Sequence, residues 1–190
     1  DARLNEFEKY IIDINESAKY PYHSYNYNAD DFLSKNPFKN AKIVWLGTSV
    51  PNEPPYGEGH TKKYPEFVQI LLHFQLTVRS IGGSKMTFDP ENNVYGLSMT
   101  HEEYELHKGD AGGDRSYEDQ LKNCWDSDLF VFDHLHNDDG LLSNLKNNPE
   151  YWDSDKNTFK ITQRNMFDRT WAVGAFNYVI AEIFRYNPRA

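Results

Sequence analysis

The chain has one cysteine, Cys124, among its 190 residues, so an intrachain disulfide is impossible. Small secreted proteins that depend on several disulfides are therefore excluded as a class. Cys124 lies beside Trp125 with no histidine close in sequence, which is typical of a small buried hydrophobic residue rather than a nucleophile. A cytoplasmic location is expected, while the start at Asp1 rather than Met would also fit a secreted or surface form of a longer precursor.

Long apolar runs and an excess of basic residues are also missing. No stretch approaches the roughly 18 apolar residues of a membrane helix, so membrane insertion is not expected. The chain has 29 acidic against 20 basic residues and a formal net charge of −9. Because an acidic surface repels phosphate groups, the charge argues against nucleic-acid binding and favours a basic protein partner.

Common catalytic and phosphate-binding motifs are absent as well. The sequence contains no GxSxG, GxGxxG or GxxxxGK[ST]. Gly47-Thr48-Ser49 follows an apolar segment, as phosphate-binding loops do, but Pro51 and the prolines after it argue against the helix that such a loop requires. A non-catalytic protein is therefore the leading expectation, with an enzyme left open.

The strongest pattern is an alternation over residues 67–79 (FVQILLHFQLTVR), in which every even position is apolar. Successive side chains of a strand point to opposite faces, so the pattern predicts a long strand with one buried face, typical of an antiparallel sheet. Short strands at 85–88 and 94–99, with a turn at 89–93, extend the prediction to an antiparallel meander that continues into 102–107.

Other segments complete an α+β prediction. Apolar runs at 42–46 and 128–135 predict two further strands. A 3-4-3-4 apolar spacing predicts an amphipathic N-terminal helix over residues 3–19. A helix at 166–186 is apolar around more than half its circumference, so it is expected to be largely buried. The length fits a single domain over residues 1–190.

The segment 133–139 (DHLHNDD) is the densest group of residues suited to chemistry. On a strand, His134 and His136 would point to the same face, and a carboxylate from Asp138 or Asp139 would complete an open three-ligand site for zinc or a similar divalent metal. This interpretation predicts a metal-dependent hydrolase with a His-x-His site. The alternative is the polar end of a strand followed by an Asp-Asp-Gly turn, without metal or other cofactor.

A protein-binding surface is the leading functional expectation. Aromatic residues make up 15% of the chain, and an acidic, ring-rich surface suits an inhibitory module of the immunity type that blocks a basic toxin or nuclease. The candidate contact residues are the tyrosines of a predicted loop and the aspartates of segment 133–139, namely Tyr20, Tyr22, Tyr25, Tyr27, Asp133, Asp138 and Asp139. A structural subunit of a surface or particle assembly is a third hypothesis.

Overall fold

The computed structural model describes residues 35–49, 51, 63–111, 113–138 and 145–189, except the side chains at 67, 71, 135 and 136. The chain divides into two compact units, Asp1–Asn36 and Pro37–Ala190. Nearly all of the first unit lies outside the described residues, and with it the helix predicted at 3–19. That helix and the single domain over 1–190 stay predictions.

The second unit contains both helices and strands, which confirms a mixed α and β fold. Its elements in chain order are β1 (Lys42–Gly47), α1 (Tyr64–Leu72), β2 (Gln75–Ser80), β3 (Phe88–Asp89), β4 (Val94–Tyr95), α2 (His101–Ala111), α3 (Tyr117–Gln120), β5 (Leu129–Asp133), β6 (Trp152–Asp153), β7 (Thr158–Phe159) and α4 (Ala172–Tyr186). Short 3-10 helices at Pro90–Asn92 and Leu135–Asp138 follow β3 and β5.

The main sheet is three-stranded and parallel, with the order β2–β1–β5. The prediction that this sheet is antiparallel is therefore wrong. The chain travels from β1 to β2 through α1, and parallel neighbours require a crossover connection of this kind. The runs predicted as strands at 42–46 and 128–135 supply β1 and β5, and they occupy adjacent positions in the sheet.

The first half of the strand predicted at 67–79 is the helix α1. Pro65 lies in its first turn, and Glu66 caps the helix start, since the Lys63 N–H donates to Glu66 Oε2 at 2.5 Å. At the other end, His73 has a left-handed φ of 53° and donates its N–H to the Gln69 carbonyl. These caps specify a helix that ends immediately before β2.

The apolar positions of this segment fit two periods at once. Val68 and Leu72 recur at helical spacing as well as within the alternation, and short apolar runs do not discriminate between the two structures. As a consequence Ile70, predicted to face the core, is 56% exposed, whereas Phe74 after the helix is buried.

The predicted meander is reduced to a short hairpin. β3 and β4 pair antiparallel around the predicted turn, with Phe88 opposite Tyr95, but each strand has two residues. The strand expected at 102–107 is instead the helix α2. Thr100 and Glu103 start this helix, since the Thr100 N–H donates to Glu103 Oε2 at 2.8 Å and the Glu103 N–H donates to Thr100 Oγ1 at 3.1 Å.

Helices cover both faces of β1. On one face, the largest buried cluster joins the strand to α4 and to the segments around it, through Val44, Leu46, Met86, Leu97, Leu121, Ala175, Val179 and Ile183. On the opposite face, the Trp45 ring meets the Tyr64 ring of α1 edge-on, with centroids 5.3 Å apart. The sheet therefore lies between helices, as expected for parallel strands.

The C-terminal helix α4 begins at Ala172, later than predicted, and buries one face rather than most of its surface. Trp171 is the N-cap of this helix. Its Nε1 donates to the Asn165 carbonyl at 2.8 Å, and the residues between Asn165 and Trp171 form turns rather than a helix. Phe184 near its end is 49% exposed. Among the helices that the structure describes, none is long and apolar enough to cross a membrane.

Candidate functional site at the carboxyl edge of the sheet

The three parallel strands end level with one another. Gly47 of β1 is in register with Ser80 of β2 and with Asp133 of β5. Because β2 and β5 lie on opposite sides of β1, the chain changes direction across the sheet at this strand. Ligands of open α/β sheets bind outside the carboxyl ends of the strands at such a point. We call residues 47–49, 80–82 and 133–134 the carboxyl edge.

Glycine is required at the centre of this edge. A Cβ at Gly47 would lie 2.4 Å from Pro51 Cγ and 3.2 Å from Asp133 Cβ. Any side chain here would displace the Pro51 ring, which packs over the end of β1. Gly47 therefore allows the chain to turn closely beside Asp133.

Asp133 is held in place by a short chain of aromatic hydrogen bonds. The Tyr64 hydroxyl donates to Asp133 Oδ2 at 2.5 Å, and Trp45 Nε1 donates to the Tyr64 oxygen at 2.9 Å. Burial, together with the bond to the carboxylate, raises the pKa of Tyr64 well above its ordinary value, so this phenol stays a neutral donor. The first residue of α1 thus orients a half-buried carboxylate at the carboxyl edge.

Thr48 and His134 are the next residues after Gly47 and Asp133. The Thr48 N–H donates to the Asp133 carbonyl at 3.2 Å, so the pairing of β1 with β5 continues past the strands. By alternation, both side chains project to the face opposite Asp133. Both are buried, and burial lowers the pKa of His134 to about 4, so its imidazole is neutral at pH 7.

Three buried polar atoms at this edge have no hydrogen-bond partner among the described residues: Thr48 Oγ1, Ser80 Oγ and His134 Nδ1. An unpaired buried polar group costs about 1–3 kcal/mol, and native proteins hold few of them. One such group follows or ends each strand of the sheet. Ordered water, a bound ion or a catalytic role accounts for most unpaired buried groups in native proteins.

The structure separates the residues that the sequence grouped together at 133–139. Asp133 and His134 belong to the carboxyl edge, whereas Asp138 is fully buried behind it. The Asp138 carboxylate accepts from the Met86 N–H at 2.8 Å, from the Thr87 hydroxyl at 2.8 Å and from the Thr87 N–H at 3.4 Å. These bonds join the 3-10 helix after β5 to the segment that leads into β3, so Asp138 has a structural role.

The remaining predicted site residues cannot be compared with the structure. The His136 side chain lies outside the described residues, as do Asp139 and all four tyrosines, Tyr20, Tyr22, Tyr25 and Tyr27. Within the described part of the chain, no three His, Cys, Asp or Glu side chains form a group that could hold a metal ion. The zinc site and the Tyr-rich contact loop both stay predictions.

Sequence reasoning missed Thr48, Ser80 and Tyr64 as members of one site. The signal was a strand, a helix and a second strand in succession, since this order brings the end of β1 and the start of α1 to the same edge of a parallel sheet. The misassigned helix concealed that signal. Comparison with protein-family models, curated proteins and solved structures finds no match for the chain.

Proposed function

We propose that the protein binds a small polar ligand at the carboxyl edge of its sheet. The observation that carries the proposal is the pair of buried, unpaired atoms Thr48 Oγ1 and His134 Nδ1, which follow adjacent strands at the point where the chain changes direction. A ligand that supplied a hydrogen bond to each would remove the cost of leaving them unpaired. The ligand-free protein would hold them ready for that purpose.

The groups at the edge have complementary capacities. The Thr48 and Ser80 hydroxyls both donate and accept, the neutral His134 imidazole donates from one nitrogen and accepts at the other, and an ionised Asp133 only accepts. An enzymatic reaction at this edge would use Asp133 as the proton acceptor, because Tyr64 orients its carboxylate.

A ligand-observed NMR screen of polar compounds, run on the full chain and on two variants, tests this proposal. Thr48→Val removes the unpaired hydroxyl at nearly constant shape. Ser98→Ala removes a second buried, unpaired hydroxyl that lies outside the carboxyl edge. We expect compounds that bind the wild type to bind the Ser98 variant equally and to lose affinity for the Thr48 variant. Equal binding to all three proteins would place the ligand elsewhere and contradict the proposal.

A protein-binding or inhibitory module is the second candidate function. The observation in its favour is a set of large exposed apolar side chains in and after the β6–β7 hairpin, namely Phe159, Ile161 and Phe167, on a chain of net charge −9. Because Asp138 is buried, the acidic contact residues of this hypothesis reduce to Asp133 and to Asp139, which lies outside the described residues.

Capture of a basic partner from the native host tests the second candidate. The double variant Phe159→Ser/Ile161→Ser should lose that partner, whereas Ile70→Ser, at another exposed apolar position, should retain it. The association rate should also fall as salt rises, because screening shortens the attraction between exposed charges. A partner retained by both variants, or one whose association ignores salt, would count against this function.

A further inference from the structure

The strand β2 lies at an edge of the main sheet. The order β2–β1–β5 gives it one neighbour among the described strands. Gln75 at its start and Ile81 just past its end donate their N–H groups to backbone carbonyls of the β1 segment, at 2.8 and 3.1 Å. Because backbone groups alternate between the two sides of a strand, Leu76 and Val78 direct theirs away from β1, where no described residue accepts or donates a backbone hydrogen bond.

The outer side of β2 lacks the usual protection against strand pairing. Gln75 and Thr77 are exposed, and Leu76 and Val78 are half-buried. Natural edge strands are commonly protected by lysine, proline or a bulge. The sequence of β2, QLTVRS, has no lysine or proline, and its register with β1 is unbroken. Its one charged side chain, Arg79, donates to a backbone carbonyl just after α3 at 3.3 Å. This edge can therefore accept another strand.

Charge determines which edge of the sheet suits a second copy of the chain. The protein has a net charge of −9, so contacts between two copies must avoid opposed carboxylates. β5, the other edge strand, has Asp128 directly before it and Asp133 at its end. An antiparallel pair of β5 strands would bring Asp133 of one copy beside Asp128 of the other. β2 contains no acidic residue, so pairing through β2 brings no carboxylate of the strand against another.

The outward backbone groups of β2 are complementary to themselves. In an antiparallel pair with a two-fold axis at Thr77, Leu76 of one copy lies opposite Val78 of the other, and the axis repeats this contact. Each such pair exchanges two N–H···O=C bonds, which gives about four hydrogen bonds. The Thr77 side chains meet at the axis as a stabilising cross-strand pair. We infer that the protein forms a symmetric dimer through β2, which joins two three-stranded sheets into one continuous sheet.

Sedimentation velocity of the full chain over a range of concentrations tests the dimer. One strand pair is a small interface, so the wild type should dimerise weakly and in a concentration-dependent manner. Thr77 is exposed, and Thr77→Glu places two carboxylates opposite each other at the axis, so it should weaken dimerisation about fivefold or more. Thr158→Glu, at an exposed threonine of β7, adds the same charge elsewhere and should dimerise as the wild type does.

A mixture of Thr77→Glu and Thr77→Lys, one of them isotope-labelled, gives a second test by native mass spectrometry. Opposite charges then face each other at the axis, so the mixed dimer should exceed either homodimer. A dimer that Thr77→Glu leaves unchanged would use another surface and overturn the inference. A wild type that stays monomeric at every concentration would also overturn it, and would leave the edge to a strand of another protein.

Discussion

Arg169 joins three separate parts of the fold. Its guanidinium donates to both carboxylate oxygens of Glu103 at 2.6 and 2.7 Å and to the Ser98 carbonyl at 2.9 Å. The same group stacks over the rings of Phe88 and Tyr178, 4.9 and 4.8 Å from their centroids. One side chain thus connects α2, the β3–β4 hairpin and α4, which no local sequence pattern would reveal.

Glu103→Gln should lower the free energy of unfolding by about 1.5–3 kcal/mol, the usual worth of hydrogen bonds to a charged group. Glu105→Gln, on the same helix, breaks an exposed ion pair with Lys108 and should change the free energy of unfolding much less than Glu103→Gln does. Urea denaturation of both variants measures the difference. Equal losses would show that the Arg169 contact contributes no more than a surface pair.

The difference in stability between the wild type and the Glu103→Gln variant should depend on pH. Burial alone would raise the pKa of Glu103, but hydrogen bonds from Arg169 and Thr100 outweigh it and hold the pKa below its usual 4.5. A carboxyl whose pKa is lowered by folding stabilises the protein above the unfolded value and loses that contribution as pH falls. The free energy of unfolding of the wild type should therefore exceed that of the Glu103→Gln variant at neutral pH, and the two values should converge below pH 4.5.

His134 should make stability depend on pH in a different range. The folded pKa is about 4 because the imidazole is buried, against 6.5 when unfolded. Between these values the unfolded chain binds a proton that the folded protein does not, so stability falls as pH decreases from 6.5 to 4. His134→Gln should remove this slope, whereas His73→Gln, at an exposed site, should keep it. Chemical denaturation across this range provides the test, and an unchanged slope in the first variant would contradict the burial of His134.

Secondary structure could be predicted from sequence where the apolar residues form a continuous run. It could not be predicted where short apolar runs are mixed with polar residues. Residues 42–46 and 128–135 were predicted as strands because their apolar positions do not also fit a helical period. Residues 67–79 fit both the helical and the strand period. The cap at His73 shows where the helix ends, but this cap is visible only in the structure. The helix α2 was not predicted because its sequence, HEEYELHKGD, has almost no apolar face. The capping residues Thr100 and Glu103 were the one feature of the sequence that indicated a helix start.

Replacement of His73 by glycine distinguishes the observed helix end from the predicted strand. As the left-handed cap of α1, position 73 favours glycine, so His73→Gly should raise the free energy of unfolding by about 0.5–1 kcal/mol. In a strand the same change would lower it by a similar amount. Gln75→Gly, within β2, is the control and should be destabilising. A loss of stability at both positions would contradict the helix boundary.

Neighbouring positions on α4 test which of its faces is buried. Ile183 is buried in the main cluster, whereas Phe184 is half-exposed. Ile183→Ala should cost about 2–5 kcal/mol through lost burial and a cavity, and Phe184→Ala should change stability much less. Thermal and denaturant unfolding of the two proteins would show the contrast. The reverse order would mean that the helix is rotated from its described position.

For the molecule as a whole, the sequence contained the residues of the candidate site but not their proximity. In the sequence, Thr48 lies in the segment that a phosphate-binding loop would occupy, and His134 lies in the predicted metal site. Parallel pairing of β1 with β5 brings them to adjacent strand ends, and no periodicity within either segment encodes that pairing. The absence of common motifs favoured a non-catalytic module. A site assembled from separate strand ends has no continuous sequence motif, so a search for motifs does not detect it.

We propose that the carboxyl edge keeps polar groups unpaired for a ligand, at a cost in stability. The most direct measurement is the free energy of unfolding of Thr48→Val without added ligand, beside Thr48→Ser, which keeps the hydroxyl. Removal of an unpaired buried hydroxyl should raise stability by about 1–3 kcal/mol in the Val variant, and the Ser variant should show no increase. A clear loss of stability in the Val variant would mean that the hydroxyl already has a partner within the fold, and would contradict the claim.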